Sequence, residues 1–101
     1  MMILHLINQS PLQHGTLDSC LRFIEPEDSI LLIEDGVYGA SPHTPCREAL
    51  ELASRSIKLY ALEADLSARG LNKPLLPCIT LVSYAEFVEL SASHDTVQSW
   101  L

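Results

Sequence analysis

The chain has 101 residues, 48% of them hydrophobic, with thirteen acids against six bases and a net charge of −7. That length fits one domain, residues 1–101, and that much apolar content excludes disorder. The bases Arg22, Arg47, Arg55, Lys58, Arg69 and Lys73 form no stripe, so the chain lacks the phosphate-neutralising surface that holding RNA or DNA requires.

Residues 2 to 8 read as a first strand, stopped by the turn signals Asn8, Ser10 and Pro11. The opening MMILHLINQSP lacks a basic leader and a small-residue cleavage site, so a strand is expected there rather than a secretion signal. Thr16 reads as a helix N-cap, and Leu17, Cys20, Leu21 and Ile24 recur at helical spacing until Pro26. The stretch SILLIEDGVYGA, residues 29 to 40, is the most informative. Its aliphatic run ends abruptly in Glu34-Asp35 and Gly36, as does a strand buried on both faces of a sheet. In open α/β sheets, ligand and partner chemistry gathers at the carboxyl ends of such strands.

A Pro-containing loop follows, and Thr44-Pro45 predicts a cap and first-turn proline for a helix over 45–54. Residues 57 to 62 read as the third strand, and 63 to 69 as a short helix stopped by Gly70. Residues 75 to 82 predict a fourth strand after Pro74, with Pro77 blunting its start. Residues 84 to 92 predict the last clear helix, and DTVQSWL one further turn. Strands alternating with helices give an α/β fold: a small three-layer sandwich, its mostly parallel sheet of four to five strands flanked by helices. No apolar run approaches the roughly 18 residues a membrane span needs.

Three cysteines, Cys20, Cys46 and Cys78, share no metal-type spacing. An odd count without a secretion signal points to free thiols in a reducing cytoplasm. Cys20 lies on the apolar stripe of its helix, where a cysteine is usually a small inert hydrophobe. Cys46 has the better local chemistry, since a predicted first turn, with His43 and Arg47 nearby, should lower its pKa; in an exposed Pro-rich loop with no second cysteine close by, a chance surface thiol is the commoner case. Cys78 opens an apolar strand and reads as core. Glu34-Asp35 could hold Mg²⁺ or take a phosphoryl group, but Asp35 capping the next turn, with Gly36 relieving the backbone, is the simpler reading. His5, His14, His43 and His94 are scattered, and His5 reads as a satisfied core or sheet-end residue. With neither GxGxxG nor P-loop, no cofactor is expected. Val97, Trp100 and Leu101 form an apolar i, i+3, i+4 set, folded back on the domain or buried by a neighbour.

Taken in order, LHLINQSP (4 to 11), TLDSCLRF (16 to 23), ILLIEDGVYGA (30 to 40), LYALEADLSARG (59 to 70), VSYAEFVEL (82 to 90) and DTVQSWL (95 to 101) resemble the TusB/DsrH family of sulfur-relay proteins. The loop from Ser41 to Ala53, which holds Cys46, is the weakest match. The resemblance implies a DsrE/DsrF-like fold. It also implies a place in a cytoplasmic heterohexamer with homologous TusC/DsrF-like and TusD/DsrE-like subunits. Through that complex the chain would meet upstream and downstream sulfur carriers, with no direct contact to nucleic acid or membrane. In the Tus version the relayed persulfide sulfur becomes the 2-thio group of a tRNA wobble uridine. In the Dsr version a related complex moves sulfur during sulfur oxidation. The main sulfur-accepting cysteine belongs to a sister subunit in both.

Some members carry a cysteine at the position of Cys20, which makes Cys20 the candidate secondary persulfide carrier here. Cys20 and the DTVQSWL ending tilt the chain towards the Dsr branch. The surplus apolar content and the Val97, Trp100 and Leu101 tail fit a constitutive interface. The expected role is therefore an accessory subunit without independent activity. The rival is a self-sufficient sulfurtransferase using Cys20 or Cys46.

Overall fold

A computed structural model describes residues 1–71 and 75–100. Five strands form one sheet: β1 (Ile3–Ile7), β2 (Ser29–Leu32), β3 (Lys58–Leu62), β4 (Ile79–Val82) and β5 (Thr96–Trp100). Their order is β4-β3-β2-β1-β5 and every pairing is parallel. The expected α/β sandwich is thus realised with its larger strand number. Leu31 is wholly buried, as are Ile30 on one side and Leu4 on the other face, which explains why β2 is written as a continuous aliphatic run.

Helices α1 (Thr16–Phe23), α2 (Arg47–Ala53) and α3 (Glu63–Ala68), with a 3₁₀ segment over Glu34–Ala40, accompany the steps from β1 through β4. Right-handed crossovers stepping in one direction put these elements on one face. The main core forms there, from Ile7, Ile30, Leu32, Leu59 and Ala61 on the sheet and Leu17, Cys20, Leu50 and Leu66 from above. The step from β4 to β5 runs back across the whole sheet, so α4 (Tyr84–Ser93) lies on the other face. A smaller cluster of Leu4, Leu31, Leu62 and Val82 meets Phe87 and Leu90 there.

Several local expectations change. The tail is a strand and not a helical turn. Residues Thr96–Trp100 pair with Ile3–Ile7 in register, Val97 beside Leu4 and Trp100 beside Ile7. Strand side chains alternate between faces, so Val97 and Trp100 point to opposite sides of the sheet. Leu101 lies outside the described residues. Thr16 is the first residue of α1 rather than its cap, because Gly15 holds that position and the Thr16 hydroxyl donates to Gln9 instead. Helix α2 starts at Arg47, two residues beyond the predicted proline, with Cys46 as N-cap. Strand β4 begins at Ile79, just beyond Pro77, and the predicted Pro74 boundary lies outside the described residues.

Two helix ends follow the sequence rules closely. Gly70 takes φ +67, while its N–H donates to Ser67 O and the Leu71 N–H to Leu66 O; this is the paired closure that glycine makes cheap. At the start of α4, Ser83 accepts from the Glu86 N–H and Glu86 returns the bond to the Ser83 N–H.

Candidate functional site

The carboxyl ends of β1, β2 and β3 converge on the segment after β2, where the sequence pointed first. Asp35 is committed to structure through its carboxylate, and Glu34 through its backbone. Glu34 takes φ +48, and its N–H donates to Asp65 Oδ2 at 2.7 Å. Asp35 accepts from Arg69 Nε at 2.9 Å, and this bond raises the Arg69 pKa. Asp35 therefore ties the 3₁₀ segment to α3 and caps no helix; Ile33 holds the N-cap position with no side-chain bond. Gly36 serves contact rather than backbone relief, since a Cβ there would sit 2.0 Å from Ile7 O. Among the described residues no group of three or more His, Cys, Asp or Glu could hold a metal ion.

The three cysteines are free, Cys20 within the main core and Cys46 and Cys78 packed against it. Cys20 faces the sheet from α1 and is fully buried. Burial, aided by the negative charge of Asp28, pushes its thiol up to about 12. Cys46 does not show the lowered pKa that its position promised. Burial and then Asp18 raise it, because α2 is only seven residues long and Arg47 turns to Pro42 O and Glu51 instead of the thiol. Cys78 is also raised, first by burial. All three are thiols at neutral pH, and among the described residues no side-chain base is hydrogen-bonded to any of them.

A chemical consequence can be measured. A thiol held at about 12 instead of 9.0 carries about a thousandfold less thiolate at neutral pH. Iodoacetamide at pH 7.5 should label Cys20 at least a hundredfold more slowly in the native chain than in urea. Equal rates would contradict the burial. The raised pKa also links to stability: between about pH 9 and 12 the unfolded thiol ionises while the folded one does not. Stability should therefore fall as pH rises through that window, and less steeply in Cys20→Ala.

The most developed polar cluster is one that sequence reasoning only half saw. His5, on β1 and 6% exposed, lies between Trp100 and Asp28. Trp100 Nε1 donates to His5 Nδ1 at 3.0 Å, and His5 Nε2 meets Asp28 Oδ2 at 3.0 Å. Indole can only donate, so Nδ1 accepts and Nε2 carries the hydrogen given to Asp28. Asp28 also accepts from the N–H groups of Ile3 and Glu25. Burial works to raise its pKa, but the bonds from His5, Glu25 and Ile3 outweigh that and hold it below the usual carboxylate value. His5 is thus the satisfied sheet residue expected. The partnership of Asp28 was not legible, since a lone acid before a strand carries no spacing signal. Trp100 folds back on its own domain, its ring 6.1 Å from His5 and 6.3 Å from Phe23, while Val97 stays 42% exposed on the other face.

On that other face His94 closes α4. Its Nδ1 meets Leu90 O at 2.7 Å and its Nε2 meets Ser29 Oγ at 3.0 Å, so Nδ1 carries the hydrogen and the hydroxyl donates to Nε2. An open cleft of about 470 Å³ lies beside it, lined by Glu27, Lys58, Tyr60 and Leu90 and by no cysteine. The arrangement positions strands and helices, and among the described residues it brings no cysteine to this cleft.

The family described as DsrH like protein matches residues 9–97. The TusB protein of Enterobacter sp. (strain 638) is 38% identical over 98 residues, covering 97% of this chain and all of that protein. TusB of Pectobacterium atrosepticum is 34% identical with the same coverage. Among solved structures, the YchN protein from E. coli superposes with a TM-score of 0.85 over 99% of both chains; at 18% identity this shows the shared fold. Tm0979 of Thermotoga maritima follows with a TM-score of 0.67 and 27% identity, over 90% of this chain and 92% of that one. The motif resemblance is borne out, and the chain belongs to the DsrH-like family.

Proposed function

We propose that the chain is an accessory subunit of a cytoplasmic sulfur-relay complex that serves 2-thiolation of the tRNA wobble uridine, and that it works through assembly with homologous subunits. The full-length likeness to TusB proteins carries this reading. It supports the Tus branch over the Dsr tilt read from Cys20 and the tail. Three thiols with raised pKa values speak against a self-sufficient sulfurtransferase, because the thiolate is the nucleophile. The absence of a basic stripe fits a subunit that leaves tRNA to others. No helix among the described residues is long and apolar enough to cross a membrane.

Cys20 enters the chemistry as a secondary carrier only if α1 lifts from the sheet. Its thiolate would then attack the terminal sulfur of a donor persulfide, forming a new S–S bond as the donor thiolate leaves. The test is a gene deletion in the native host, with tRNA 2-thiouridine measured by mass spectrometry. Deletion should abolish the thiolated nucleoside, and both the wild-type gene and Cys20→Ala should restore it. Unchanged 2-thiouridine in the deletion strain would overturn the tRNA role. Failure of Cys20→Ala in an intact complex would make Cys20 a carrier.

A further inference from the structure

Among the described residues α4 is the one helix laid on its face of the sheet, yet none of its residues is buried. Phe87 and Leu90 turn inward and are only half-covered. Tyr84 and Val88, one turn apart, stand 59% and 67% exposed on the outer side. On the sheet of this face Leu6, Ile33 and Tyr60 are half-covered, and Val97, on the edge strand β5, is open. A helix apolar on both sides is ordinarily covered on both.

Charge decides the occupant. Helix α4 carries Glu86 and Glu89, and residues 75–101 contain neither Lys nor Arg. Among the described residues the one base placed on this face is Lys58, exposed at the start of β3 beside the cleft. Arg22, Arg47 and Arg69 are engaged with Asp18, Glu51 and Asp35 on elements of the opposite face. A second copy stacked here about a twofold axis would set Glu86 and Glu89 against their own counterparts, and such like-charge contacts suppress a wrong partner. A subunit of the same fold bringing Lys or Arg to those carboxylates would be attracted.

We infer that the outer face of α4 is the docking surface for a homologous subunit that presents basic residues to Glu86 and Glu89, and that the same charges refuse a second copy of this chain. The inference rests on the assembly reading above and names the face that assembly uses. Trp100 lies on the opposite side of the sheet and belongs to the chain's own packing.

The experiment co-expresses the tagged chain with its DsrE-like and DsrF-like relatives from the same organism and measures affinity on purified components. Three variants are compared: Val88→Glu, Glu89→Lys and, as a control on the opposite face, Leu52→Glu, whose parent residue is 63% exposed on α2. All three sites are exposed, so circular dichroism should show folded chains. Val88→Glu should weaken assembly about thirtyfold or more, the scale of an interface hot spot. Glu89→Lys should weaken it about tenfold at low salt and less at high salt. Leu52→Glu should bind like the wild type, and the wild-type chain alone should remain monomeric. Wild-type affinity in both α4 variants, loss of assembly only in Leu52→Glu, or a homodimer broken by Val88→Glu would each overturn the inference. A wild-type chain that ignores both relatives would instead bring down the assembly reading itself.

Discussion

Gly36→Ala is expected to leave a chain that barely folds. A Cβ at residue 36 would lie 2.0 Å from the carbonyl oxygen of Ile7 and 2.8 Å from its carbon, far inside any contact real atoms make. The oxygen has little freedom to retreat. It ends β1, an inner strand of the sheet, and accepts the Ile33 N–H at 2.9 Å, while the Gly36 N–H is held by Ile33 O at 2.8 Å. Relief would have to come from parting β1 from β2 or from lifting the 3₁₀ segment off Leu32 and Leu17. Forced overpacking costs about 1–3 kcal/mol in ordinary cores and more where backbone is the obstacle. A loss of at least about 3 kcal/mol is expected, against a total of roughly 5–15 for a domain of this kind. Urea titration should show it, with Gly15→Ala as the control. Nothing lies within 4 Å of a Cβ at residue 15, so that change should stay within about 0.5 kcal/mol. Equal midpoints for the two variants would refute the packing described.

Asp28→Asn should be the costliest isosteric change on the chain. The carboxylate is 4% exposed and serves three donors: His5, Ile3 and Glu25. An amide keeps one accepting oxygen and turns an NH₂ towards groups that themselves donate. His5 cannot adapt by moving its hydrogen to Nδ1, because Trp100 donates there. A buried donor left without its charged partner costs about 2–4 kcal/mol, and the strain would pass to β5 through Trp100. The exposed pair of Asp18 with Arg22 offers the contrast: Asp18→Asn should cost less than about 1 kcal/mol.

Acid gives an independent reading of the same contact. Because the folded Asp28 pKa lies below its ordinary 3.8, the carboxylate contributes stability above that value and loses it as pH falls through the folded one. The wild type should therefore soften below about pH 4 more steeply than Asp28→Asn. Fluorescence of Trp100, the one tryptophan, should change in the variant at neutral pH. An unaltered urea midpoint with unaltered emission would remove the network from the account.

The parallel core was legible because a strand buried on both sides has to be written in aliphatics, as Ile30 to Leu32 are. The stripe Leu17, Cys20, Leu21 and Ile24 gave α1 for the same reason. Strand β5 was not legible. Val97, Trp100 and Leu101 fall by chance at helical spacing, and pairing with β1 across more than ninety residues of sequence leaves no local trace. Cys46 misled because helix position and cationic neighbours argue for a reactive thiol, whereas desolvation, visible only in the folded chain, acts the other way. The His5, Asp28 and Trp100 cluster joins three distant segments and could not be read from any one of them. The outward residues Tyr84 and Val88 stood in plain view as helix. What sequence lacked was the sheet beneath, which leaves their side of α4 uncovered.

Native mass spectrometry of the chain purified together with its DsrE-like and DsrF-like relatives tests the central claim most directly. The account predicts one large species in which this chain is a stoichiometric component, formed with Cys20 still a free thiol. A chain that runs alone at the mass of a monomer, with both relatives present and folded, would contradict it.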